Sequence, residues 1–219
     1  MLLRKERKII IVTGKSGTGK TKLSRQILAL FPRKIILDIM EEYECKNTYN
    51  NFQEFLNAVS ILDQNIDVCI RGFKDSDVNY ICEWCLLAGN ILLGIEEFES
   101  YVSRYDAYPQ LDEIIRRGRH NDVSLLAVSQ RVPDFPPLFR SQITSFFSFY
   151  QDEPIDVKHL LDRDFNIEDI ENLKRCEGLD LPVENLNYLR KGDSMQELKD
   201  WNARKQDHIV QSEAENFSL

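Results

Sequence analysis

Residues Gly14 to Thr21 read GKSGTGKT. Glycines at 14, 17 and 19 let a backbone wrap closely round an anion, and consecutive N–H groups leading into a helix favour a phosphate. In this spacing Lys20 reaches the β- and γ-phosphates of a nucleoside triphosphate, and the Thr21 hydroxyl ligates Mg²⁺. Gly14, Lys15, Ser16, Gly17, Thr18, Gly19, Lys20 and Thr21 are therefore the expected nucleotide-binding set, with ATP and Mg²⁺ as cofactors. A glycine turn that binds nothing can share the pattern. What distinguishes a phosphate site is a buried strand before it and a helix after it.

A second group follows an apolar run, Ile91-Leu-Leu-Gly-Ile-Glu96-Glu97. An acid ending a strand beside the phosphate-loop strand can hold Mg²⁺ through water, and a second acid one position later can deprotonate the attacking water. Glu96 is expected at the metal and Glu97 at the water. Glu96 stands where Asp is usual, which leaves the division of labour between the two open, and both could simply be solvated acids opening a helix. A third group is Ser124-Leu-Leu-Ala-Val-Ser-Gln130-Arg131. Gln130, at the tip of the strand beyond the Glu96–Glu97 strand, can donate to a phosphate and accept from water. Arg116-Arg117-Gly118-Arg119-His120 is the dense basic cluster of the core. It reads as a solvated helix end, as the source of a catalytic arginine for a neighbouring subunit, Arg119 being one candidate, or as a source of phosphate contacts to nucleic acid. Arg71, Arg131 and Arg140 are other candidates for the catalytic arginine.

The elements that must carry these groups alternate. Strands are expected at 8–13, 34–38, 67–70, 90–95, 123–128 and 144–150, with helices at 21–30, 52–62, 78–88 and 111–117. That order implies an α/β fold, a P-loop NTPase core with a mostly parallel sheet flanked by helices. Residues 1–150 form this core. Residues 151–219 form an acidic, mainly helical C-terminal extension packed on it, with helices at 157–161 and 167–173, loops through 178–192, an amphipathic stretch at 195–209 and a frayed polar tail from Gln211.

With 219 residues and a net charge of −8, the chain suits one α/β domain with an appendage. The charge is uneven: residues 1–150 carry 19 basic and 19 acidic side chains, whereas 151–219 carry 9 and 17. A stand-alone nucleic-acid-binding module with a broad basic face is disfavoured, although a ring pooling a few charges per subunit is not. No apolar run is long enough to span a bilayer, and a cytoplasmic protein is expected. The five cysteines lack a disulfide framework and fit a reducing compartment. Cys82-Glu-Trp-Cys85 reads as buried thiols on an apolar helix rather than half a zinc site.

Taken together, GKSGTGKT, ILLGIEEF and the run Arg117-Gly-Arg-His-Asn-Asp-Val-Ser-Leu-Leu-Ala-Val-Ser-Gln-Arg131, continuing through Asp134-Phe-Pro-Pro137 and Arg140-Ser-Gln142 to the strand 145–149, resemble the HerA–FtsK superfamily of P-loop ATPases over about residues 8–150. Within that superfamily the chain is most similar to the genome-packaging ATPases of icosahedral viruses with an internal membrane. The resemblance implies an ATP-hydrolysing motor that translocates double-stranded DNA as a homo-oligomeric ring, a pentamer or a hexamer, in the host cytoplasm or virion, with a capsid or vertex protein as a further partner. It also implies that Gln130 senses the γ-phosphate. Related ATPases of conjugation, DNA processing or phage assembly are the alternative within the family. A small-molecule kinase, a nucleotide-binding assembly factor without hydrolysis, and a motor acting on a protein are the alternatives outside it.

Overall fold

The computed structural model describes residues 6–59, 66–102, 108–131, 137–173 and 186–216, with Pro137 and 207–216 as backbone alone. Cys176, the Asp134–Pro136 part of the family-like run and most of the expected 178–192 loop lie outside the described residues.

The continuous apolar run Ile9–Thr13 forms β1, buried along its whole length. A strand buried on both faces must sit inside a sheet covered on both sides. β1 is followed by α1 (Lys20–Ala29), β2 (Lys34–Leu37), β3 (Asn47–Tyr49), α2 (Phe52–Val59), β4 (Asp67–Ile70), α3 (Asp75–Ala88) and β5 (Ile91–Ile95). A 3-10 turn at Phe98–Ser100 leads to α4 (Pro109–Arg117), β6 (Val123–Ser129), α5 (Pro137–Gln142) and β7 (Ser145–Ser148). Beyond residue 150 come α6 (Pro154–Leu161), α7 (Ile167–Glu171), β8 (Leu189–Gly192) and α8 (Met195–Asn216).

The strands order as β3-β4-β2-β5-β6-β1-β7-β8. The pairs from β3 to β7 are parallel, and β8 runs antiparallel to β7 with Phe146 opposite Lys191. Alternation along β1 divides the core. Ile9 and Ile11 pack with α2, α3 and α4, whereas Ile10 and Val12 pack with Leu23 and Ile27 of α1 and with Leu198 and Trp201 of α8.

This order corrects one expectation. The Glu96–Glu97 strand, β5, is not beside the phosphate-loop strand: β6 lies between them, pairing β1 on one edge and β5 on the other. Chain order cannot reveal this, because a parallel crossover may skip a place in the sheet. The consequence is chemical, since Gln130 at the tip of β6 stands between the phosphate loop and Glu97.

Other departures are local. β3, α5 and β8 were not anticipated, being three to six residues long and without a clear period. The C-terminal helix continues to Asn216 where a frayed tail was expected from Gln211; its Gln, Glu and Ala residues are good helix formers. Cys82 and Cys85 are buried free thiols on α3, as read from the sequence, and burial pushes Cys82 up to about 12. Cys45 and Cys69 are instead joined as a disulfide, 24 residues apart in sequence. That departs from the free thiols expected of a reducing compartment. Among the described residues no helix is long and apolar enough to cross a membrane.

Candidate nucleotide site

The loop between β1 and α1 leaves the sheet at the C-terminal end of an interior strand, where α/β folds bind ligands. Gly14 has φ 148°, and a Cβ there would lie 2.5 Å from the Cβ of Phe149. Gly19, at φ 106°, is the N-cap of α1, so no side chain caps the helix, and its first turn holds no acid. The unsatisfied N–H groups and positive end of the helix dipole are left for an anion. The loop is braced from both flanking strands: Gly14 N–H donates to Ser129 O and Lys15 N–H to Tyr150 O. Lys15 also pairs with Asp152. Lys20 Nζ donates back to Lys15 O at 3.0 Å, lying along the cradle it would share with phosphate oxygens.

A cleft of about 420 Å³ opens over this loop. Ser16, Gly17, Gly19, Lys20, Thr21, Glu96, Glu97 and Gln130 all line it, so the expected loop, acid and amide groups converge. Glu96 is nearly buried, at 5% exposure. Burial pushes its carboxyl up to about 7; the Met40 N–H, donating to Oε2 at 3.1 Å, works against this, while Glu42, Asp38 and Glu97 add to it. Glu97 adopts a left-handed backbone, φ 48° and ψ 45°. Such a conformation is costly for a glutamate and is retained where surrounding structure imposes it. It turns the side chain toward β6, where Gln130 Nε2 donates to Glu97 Oε1 at 2.7 Å. Gln130 is itself fixed through its backbone, its N–H donating to Glu99 Oε1 and its carbonyl accepting from Gln151 Nε2. Lys20 faces Glu97, Glu42, Glu99 and Glu96; burial lowers its ammonium below the usual range, and these four carboxylates pull it back.

Glu42 and its segment were missed by sequence reasoning. The Thr21 hydroxyl donates to Glu42 Oε2. The visible signal was a pair of acids, Glu41-Glu42, shortly after an apolar strand, but nothing in their spacing marks them. Among the described residues no group of three His, Cys, Asp or Glu side chains is arranged to hold a metal alone. A Thr21 hydroxyl bonded to Glu42, in a cleft that Glu96 also lines, nevertheless fits Mg²⁺. This ion keeps most of its waters and takes one or two protein ligands together with substrate phosphates.

The arginines divide by place. Arg119 lies in the turn between α4 and β6, and this turn meets the start of β5 through the Asn90 N–H donating to Asn121 O. That is the end of the strands opposite the phosphate loop, a strand length of ~16 Å away, so Arg119 does not reach the nucleotide cleft of its own chain. Arg116 and Arg117 pair with Asp112 and Glu113 one turn back. Arg131 pairs with Asp156 of α6, whose side chain is 2% exposed, and Arg71 pairs with Asp38 and Glu41. Arg140 is exposed in the last turn of α5.

Solved structures of similar fold superpose on this chain. The genome packaging NTPase B204 from Sulfolobus turreted icosahedral virus 2 in complex with AMP superposes with a TM-score of 0.60 at 23% identity, over 77% of this chain and 89% of that one. The same protein in complex with ATP-gammaS gives 0.59 at 19% identity, over 85% and 98%. B204, the DNA-packaging ATPase from Sulfolobus turreted icosahedral virus, gives 0.53 at 19%, over 87% and 100%. The fold is that of a P-loop NTPase. No protein-family model and no curated protein matches the sequence.

Proposed function

We propose that this chain is an ATP-hydrolysing motor subunit that moves double-stranded DNA, in the manner of a genome-packaging ATPase. The observation that carries hydrolysis is the 2.7 Å hydrogen bond from Gln130 to Glu97 beside the uncapped start of α1. A kinase transferring to a small molecule has no use for this pair. An amide that touches both a γ-phosphate and the general base links nucleotide occupancy to activation of water. In this reading the loop N–H groups and Lys20 hold the triphosphate, while Thr21 and Glu96 hold Mg²⁺, which when bound supplies charge neutralisation at the phosphates. Glu97 takes the proton of the attacking water, and Gln130 orients that water.

The motor and its polymer rest on the resemblance to packaging enzymes and on the position of Arg119. An arginine at the far end of the strands serves a nucleotide only across a subunit boundary, as in a pentameric or hexameric ring. A capsid or vertex protein would be the stationary partner, and the work would be done in the host cytoplasm or at the virion.

ATP turnover measured with and without double-stranded DNA, alongside the oligomer mass, tests the reading. Lys20→Ala should abolish binding and turnover. Glu97→Gln keeps an acceptor for Gln130 but no base, so it should bind ATP while losing roughly 10²–10⁴-fold in turnover. Full turnover by Glu97→Gln removes the assignment of the base. A monomer indifferent to DNA removes the translocase and leaves the nucleotide site standing.

A further inference from the structure

The segment between β2 and β3 is held far more firmly than a surface connection requires. Asp38, completely buried, accepts from the Glu42 N–H at 2.8 Å and the Tyr43 N–H at 3.2 Å. Arg71, from the end of β4, binds Asp38 Oδ2 through Nε and Tyr43 O through its terminal nitrogen. Arg25 of α1 donates to Glu42 O, and Cys45 is bonded to Cys69 of β4. A loop pinned at this many points, with Glu41 left-handed at φ 56°, is built to place something. Two groups face the cleft: the Met40 N–H, which donates to Glu96 Oε2, and the Glu42 carboxylate, which accepts from the Thr21 hydroxyl. Their partners, Glu96 and Thr21, are the two side chains expected at Mg²⁺.

We propose that this segment is the second wall of the nucleotide site and that Glu42 is its working residue, aiming the Thr21 hydroxyl before Mg²⁺ is bound and accepting from a water of the Mg²⁺ shell afterwards. Asp38 and Arg71 are positioning residues that act through Glu42. The inference rests on the nucleotide site described above and adds a third carboxylate to it. Glu42 is the group suited to this task because its side chain lines the cleft and already accepts from the Thr21 hydroxyl. Glu41, its neighbour, turns instead to Arg71.

The test is the affinity of a fluorescent ATP analogue, with excess Mg²⁺ and with EDTA, for the wild type and for Glu42→Gln. In the wild type Mg²⁺ tightens binding. In Glu42→Gln that Mg²⁺-dependent gain should fall roughly tenfold, the usual effect of losing an outer-shell ligand. Affinity in EDTA should stay level or rise, because one of four carboxylates repelling the phosphates is gone. Asp38→Asn should lower the same gain in the wild type but add little in the Glu42→Gln background, since residues acting as one unit are not additive. An unchanged Mg²⁺ gain in Glu42→Gln, or equal weakening in EDTA and Mg²⁺, overturns the role of Glu42 and leaves the nucleotide site intact. A wild type that binds no analogue under either condition overturns both. The unfolding midpoint of Glu42→Gln should stay within about 2 °C of wild type, which confirms that the readout is local.

Discussion

Replacing Arg71 by Met removes a guanidinium while keeping most of its stem, and the structure allows the cost to be worked out. Asp38 is fully buried and would lose its cationic partner; Arg71 itself is only a quarter exposed. Breaking a buried ion pair from one side costs ~3–5 kcal/mol, because the remaining charge is stranded. Two features lower that figure here. Asp38 keeps two backbone N–H donors from Glu42 and Tyr43, and the Cys45–Cys69 bond still tethers the segment. A loss of ~2–3 kcal/mol is therefore expected, or ~4–12 °C in unfolding midpoint for a chain of this size. Urea unfolding at pH 7 with EDTA, together with thermal unfolding, measures it. The double variant Asp38→Asn with Arg71→Met should recover part of the loss, since it no longer buries an unpaired charge. A change below ~0.5 kcal/mol for Arg71→Met, within the range of ordinary surface substitutions, would refute the claim that this pair holds the second wall.

Two further outcomes follow from the same geometry. Burial pushes Glu96 up to about 7 from the usual 4.5, so its ionised form is penalised in the folded apo protein; this penalty is absent below pH 4.5, grows between pH 4.5 and 7 and levels off above. In EDTA, Glu96→Gln should therefore match the wild type in stability near pH 4.5 and exceed it at pH 8, by ~1–3 kcal/mol; equal stability at pH 8 in urea unfolding sinks the argument. Trp201 of α8 is buried 5.7 Å from Phe31, with Lys8 and Lys205 over its ring. Trp201→Ala should cost ~3–5 kcal/mol by urea unfolding, and a cost under ~1 kcal/mol would mean that α8 is not part of the core.

Much of this was legible in the sequence because long or strongly patterned elements announce themselves. The apolar runs of β1, β5 and β6 mark the central strands, and the glycine spacing marks the loop. What was not legible has physical causes. The place of β6 between β1 and β5 is a property of crossover connections, which sequence order does not encode. β8 consists of Leu-Arg-Lys-Gly, polar because it edges the sheet and faces solvent, so it reads as loop. Glu42 escaped because its role depends on Asp38 and Arg71, which lie 33 residues apart and meet only when β2 and β4 pair. Motifs record what is local in the chain. Contacts made through the sheet leave no spacing to read.

The two walls of the cleft are supported in the same way. On the β6 side, Gln130 is pinned by Glu99 and Gln151, and the next residue, Arg131, is tied to the buried Asp156 of α6. On the β2 side, Glu42 is pinned by Asp38, Arg71 and Arg25. Between them Glu97 accepts the left-handed backbone that aims it at Gln130. Hydrolysis requires the base, the water and the phosphate to hold their geometry to roughly half an ångström. An isolated glycine loop cannot supply that precision, because it fixes only the phosphates. The supports come from β4, from the turn after β5, and from the chain beyond residue 150. A substitution in any of these should register at the cleft although none lies in a recognisable motif.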